Sequence, residues 1–176
     1  MKIGLYTDSL AELEFEAALD WIAAHGIEAV EIGTGNFSTA PHCDLQEVIR
    51  DDAARRRFLG AIDRRGLVLS ALNCTGNPLD PHPERRQRAQ QVLSDTLQAA
   101  SQLGIHTVVT MSGCPGDLGG GTYPNWVTCT WQREYVELVE RQWAEEIEPY
   151  WRQVGDRARG LGVRIAIEMH PGQAVY

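Results

Sequence analysis

The chain reads as an α/β protein, a parallel sheet built from four strand–helix units and a fifth strand. Three observations predict this. Gly26-Ile27, Gly66-Leu67, Gly104-Ile105 and Gly162-Val163 each mark the same event: a helix stops, a glycine follows and a strand starts. Stretches of helical apolar spacing alternate with short apolar runs. The spacing between strands leaves room for right-handed crossovers that pack helices outside the sheet. No composition shift or linker interrupts residues 1–176, so a single domain is expected.

Each element follows in order. The first strand is expected over Lys2–Tyr6, then a helix over Glu14–Ala24 whose Phe15, Ala18, Leu19 and Ile22 fall at helical spacing. Ile27–Ile32 is the second strand. Asp44 and Glu47 match a capping box and open a helical region over Leu45–Arg65, expected in two pieces. Leu67–Asn73 is the third strand. A helix over Pro83–Leu103 presents Leu93, Thr96, Leu97 and Ala100 as its core stripe, and Ile105–Met111 is the fourth strand. A long irregular stretch from Ser112 to Trp131 exceeds about 12–15 residues, a length at which loops in compact domains are usually functional or disordered. The last helical region covers Arg133–Leu161, and Pro149 should kink or interrupt it because proline removes a donor and crowds the previous turn. Gly162 opens the final strand.

The totals narrow the classes of function. At 176 residues with 43% hydrophobic and 23% charged content, the chain can bury a real core. A net charge of −8 disfavours a nucleic-acid partner. The four cysteines, Cys43, Cys74, Cys114 and Cys129, form no Cys-x-x-Cys pair and are expected as reduced thiols. The N-terminal residues are too polar for a signal peptide, and no apolar run approaches the about 20 residues of a membrane span. A cytoplasmic location with no membrane partner is the expectation.

The candidate chemistry sits at strand ends. In the last strand, period two puts Val163, Ile165, Ile167 and Met169 on one face and Ala166, Glu168 and His170 on the other. If the isoleucines pack on helices, Glu168 points to the enclosed side, as a metal ligand or general base. Its alternative is a solvated carboxylate where strand meets loop. His170 is either a residue near substrate or a hydrogen-bonded structural histidine. On the second strand Val30 and Ile32 take one face, Ala29 and Glu31 the other, which makes Glu31 a candidate for substrate contact. Asn73 either donates to a substrate hydroxyl or ties down the turn at Gly76. Trp126 and Trp131, near the end of the long loop, either form a wall for a sugar face or staple the loop down. Asp8 is expected as a cap or turn residue. The run Gly119-Gly120-Gly121 is no phosphate loop, since no Gly-Lys-Ser/Thr follows; it suits a mobile active-site loop or a plain flexible one. Gly33-Thr34-Gly35 lacks dinucleotide spacing.

Several segments together resemble the sugar phosphate isomerase/epimerase family: residues 2–10, 26–35, 72–79, 109–115, 124–126 and Glu168-Met169-His170-Pro171-Gly172. The resemblance runs collinearly along essentially the whole chain and implies a xylose-isomerase-like TIM barrel. A full barrel needs about 250 residues, so the expectation is an incomplete barrel, the N-terminal portion of a larger one. The resemblance further implies a small sugar or polyol substrate and a divalent metal, manganese first, with magnesium, cobalt or zinc as alternatives. Of the four metal ligands typical of the family, Glu168 matches the first; the others belong to later strands. The implied reaction is proton transfer next to a carbonyl through an enediolate, with Glu168 as both ligand and acid/base. His170 is carried over only as a substrate-side or supporting residue. An endonuclease-IV-like enzyme is a weaker alternative, because the ends Asn73-Cys74 and Met111-Ser112 lack its histidines. A non-catalytic half barrel that self-associates into a homo-oligomer through open sheet edges is the other.

Overall fold

The computed structural model describes every residue except Leu118 and Thr130, both within the long stretch singled out above. Five strands form one parallel sheet in sequence order: β1 (Gly4–Tyr6), β2 (Ala29–Gly33), β3 (Val68–Asn73), β4 (Thr107–Met111) and β5 (Arg164–Glu168). β1 and β5 are the free edges, so the barrel is not closed. The helices are α1 (Phe15–Ala24), α2 (Leu45–Arg50), α3 (Asp52–Asp63), α4 (Pro83–Leu103), α5 (Arg133–Gln142) and α6 (Glu148–Gly160). This is the incomplete (β/α) architecture expected.

The glycine repeat has a single backbone cause. Gly26, Gly66, Gly104 and Gly162 all adopt left-handed φ values between 67° and 71°. A side chain there would be strained, and this turn sends each chain segment from helix back into strand.

The outer face of the sheet is the core. Register aligns Leu5, Val30 and Leu69, and then Ile32, Leu72, Val108 and Ile165, towards the helices. Val30, Ile32, Leu72 and Val108 are fully buried, as are Leu19 and Ile22 of α1 and Leu93, Thr96, Leu97 and Ala100 of α4, the expected stripe. A register shift between Val30 and Glu31 accommodates Ser70, whose hydroxyl donates to Val30 O at 2.9 Å.

Two expectations need correction and two hold. Strands start up to two residues later than expected; β2 to β5 each follow a short connection after a glycine turn. The helical region after Asp44 does break in two, at Asp51, whose carboxylate accepts from Ala53 N and caps α3. Asp44 accepts from Glu47 N at 2.9 Å, but the reciprocal half of the capping box is missing, since the Glu47 carboxylate pairs with Arg57 at 2.9 Å. The last helical region is interrupted as expected, by a π-helical turn at Trp143–Ile147 that lies directly before the segment carrying Pro149. Pro149 lies in the first turn of α6, where a missing donor costs little.

Candidate active site at the C-terminal end of the sheet

Paired residues of a parallel sheet point to one side, so register assigns the inner face. Tyr6 pairs with Glu31, Gly33 with Asn73, Asn73 with Val109 and Met111 with Glu168. Tyr6, Glu31, Asn73 and Glu168 therefore share one face at the C-terminal ends of four strands, where α/β barrels carry chemistry.

Glu31 and Asn73 form a unit. Asn73 is buried and its Nδ2 donates to Glu31 Oε1 at 2.6 Å, while its Oδ1 accepts from Thr75 N at 2.9 Å. Its amide thus orients the carboxylate and ties the following turn. A half-buried carboxylate needs such a donor.

Beside them, Tyr6, Asp8 and Ser38 converge over Gly33. A Cβ at residue 33 would strike Ser38 Oγ and lie 2.5 Å from Asp8 Oδ1 and 2.9 Å from Tyr6 Oη. Glycine is required there by close approach rather than by φ. Asp8 Oδ1 is buried with no hydrogen-bond partner among the described residues. Burial pushes the Tyr6 phenol well above its ordinary range, and the nearby Asp8 and Glu31 carboxylates push the same way against the Ser38 hydrogen bond. Tyr6 is therefore a neutral hydroxyl donor at any working pH. Sequence reasoning missed it, although its place in phase with Glu31 carried the signal; nothing in the sequence pointed to Ser38. Asp8 sits in a 3₁₀ turn over Thr7–Leu10, which agrees with a turn role for its backbone.

Glu168 is on the expected face but not enclosed. It is exposed, because the strands that would face it are absent from this open sheet. His170 does not share the face by strand alternation, since β5 ends at Glu168. It lies in an exposed turn, with Nδ1 2.7 Å from Pro171 O and its own N–H donating to Val175 O. Met169 likewise leaves the strand and is 70% exposed. Trp126 stands edge-on to Tyr176, with ring centroids 5.1 Å apart and planes at 85°. The tail carrying Tyr176 is bound to the end of β4 through Ala174 N to Gly113 O and Val175 N to Ser112 Oγ, both 2.9 Å. Trp126 is thus placed at the same end of the sheet, while Trp131 is 86% exposed.

Three of the four thiols, Cys43, Cys74 and Cys114, are buried. Burial pushes Cys43 and Cys74 up to about 12 and Cys114 up to about 11, and all four cysteines are unpaired.

The model of the xylose isomerase-like TIM barrel family matches residues 19–176. The chain belongs to this family. A family relative, the uncharacterized protein YfiH of Bacillus subtilis (strain 168), is 37% identical over 179 residues, covering 100% of this chain and 57% of its own. D-psicose 3-epimerase of Clostridium cellulolyticum H10, solved with D-tagatose, superposes with a TM-score of 0.56 at 18% identity, over 96% of this chain and 52% of its own. The IolI protein with a bound zinc atom gives 0.58 at 17% identity, over 99% and 54%. These structural likenesses show the xylose isomerase-like fold, and the chain spans about half the length of the proteins it matches.

For a divalent metal, the fit is partial by count of donors. Such ions take four to eight ligands. Among the described residues no group of three or more His, Cys, Asp or Glu side chains converges. Glu168 offers one carboxylate, and the donors of this chain do not by themselves make a site.

Proposed function

We propose that this chain supplies the β1–β5 side of the active site of a sugar or polyol isomerase/epimerase, which moves a proton next to a carbonyl. The observation that carries this reading is Glu168, an exposed carboxylate at the end of β5 on the same face as Tyr6, Glu31 and Asn73. Glu168 is the base that removes the proton. Glu31, held by Asn73, accepts from substrate hydroxyls, and the neutral Tyr6 hydroxyl lies beside it. Trp126 offers an apolar wall to a sugar face, and His170 lies at the rim. D-tagatose in the epimerase and zinc in the IolI protein support a small polyol substrate and a divalent cofactor; manganese comes first from the family resemblance alone. Among the described residues Glu168 is the donor this reading gives to that ion, which would polarise the substrate carbonyl when bound. A cytoplasmic location and a small-molecule partner, rather than a nucleic acid, complete the reading.

The test mixes this chain with the C-terminal remainder of YfiH, manganese and a ketohexose in deuterated water. Solvent deuterium should enter the position next to the carbonyl, and Glu168→Gln should slow this by about 10²–10⁴-fold. The chain alone should show no exchange. Exchange untouched by Glu168→Gln, or none in the wild-type mixture, overturns the assignment.

A further inference from the structure

The amide of Gln142 joins the two limbs of the long loop that carries Trp126. Gln142 is 5% exposed at the end of α5, and its Nε2 donates to Gly116 O at 3.2 Å and to Asn125 O at 3.1 Å. Asn125 N donates to Pro115 O at 2.8 Å, closing the same neck. Gly116 permits the close approach, since a Cβ there would lie 2.8 Å from Pro81 Cβ. The residue after Asn125 is Trp126.

Gln142 is the last residue of α5, directly before the π-helical turn at Trp143–Ile147. Such a turn inserts a residue into the helix, re-aiming the side chains on either side of it, and often marks a functional place. Within it Glu146 pairs with Arg86 at 2.7 Å, and Arg86 also donates to Asp80 O at 2.7 Å, so the turn itself is anchored to the start of α4. The Trp126 ring is then held from two directions. Gln142 fixes its backbone, and Tyr176, on a tail bound to Ser112 and Gly113, fixes its face.

We infer that Gln142 is a positioning residue: it clamps the loop neck so that the Trp126 ring is preset against Tyr176 at the C-terminal end of the sheet, ready for the apolar face of a sugar. This rests on the reading of Trp126 as a substrate wall. Glutamine suits the task because one amide nitrogen carries two donors, which two carbonyls require. An isosteric carboxylate would present acceptors to acceptors and release the neck.

The experiment compares Gln142→Glu with the same substitution in a Trp126→Phe background, without sugar. In the first protein tryptophan emission should shift to the red and acrylamide quenching should rise. In the Trp126→Phe background Gln142→Glu should change neither. Emission and quenching that stay as in wild type, or that change equally in both backgrounds, overturn the proposal. If Gln142→Glu fails to fold, amide exchange in the wild-type protein decides. The Asn125 amide should exchange far more slowly than that of Gly119; equal rates overturn the clamp. Because no sugar is present, a negative result counts against Gln142, while the wall itself is judged by whether a ketohexose changes Trp126 emission in the wild-type protein.

Discussion

Asn73 shows how one side chain serves two masters at the site. Replacing it by alanine would strip Glu31 Oε1 and the Thr75 N–H of their partners at once. Each buried group left unpaired costs about 1–3 kcal/mol. Asn73→Ala should therefore lower the unfolding free energy in urea by at least about 1 kcal/mol, and Asn73→Asp should fare no better because it sets a carboxylate against Glu31. Asp80 gives a pH prediction at the same scale. Burial alone would raise its carboxyl, but hydrogen bonds from Arg85 and from His82 N outweigh burial and hold it below its ordinary value of 3.8. The folded form thus releases its proton more readily than the unfolded chain. Its contribution is complete above pH 3.8 and is lost as pH falls through the lower folded value. Arg85→Gln should destabilise the protein at neutral pH, and urea unfolding should show the gap from wild type closing in acid below that point. With half of the Arg85 side chain in solvent the effect is small.

Among the elements, the helix starts show a motif read correctly in outline and wrongly in detail. Asp44 caps α2, yet Glu47 reaches across to Arg57 of α3 instead of back to residue 44. Asp44→Ala should cost about 1 kcal/mol, measured by urea unfolding, whereas Glu47→Gln, which keeps the cap acceptor intact, should change stability far less. The π-helical turn was invisible in the sequence for a related reason. Apolar spacing around Leu138, Trp143 and Ile147 fits an uninterrupted helix, and Pro149 drew the expected break to itself. The widened turn lies just before Pro149, and Gln142 and Glu146 beside and within it have partners on the loop and on α4.

The whole molecule is an open parallel sheet with helices on its outer side. Its inner face and both edges are uncovered: Ile3 is 65% exposed beside β1, and Val68 on the inner face 42%. Unpaired edges are templates for pairing. Sedimentation velocity should show the isolated chain heavier than one copy as concentration rises; a strictly monomeric chain over that range would refute self-association through the edges. Among the described residues no helix is long and apolar enough to cross a membrane.

The sequence by itself determined the order and type of the elements, because glycine stops and apolar periods are local properties of the backbone. It also placed Glu31 opposite Val30 and Ile32, and Glu168 opposite Ile165 and Ile167, within their own strands by alternation; that these two share a face with Asn73 came from the register between strands. Only the tertiary structure decided which of these touch. It brought Asn73 to Glu31 across two strands, added Tyr6 and Ser38 around Gly33, left Glu168 exposed and turned His170 away past the end of β5. The physical reason is distance along the chain. Asn73 and Glu31 are 42 residues apart, and Trp126 depends on Gln142 and Tyr176, which no local period connects to it.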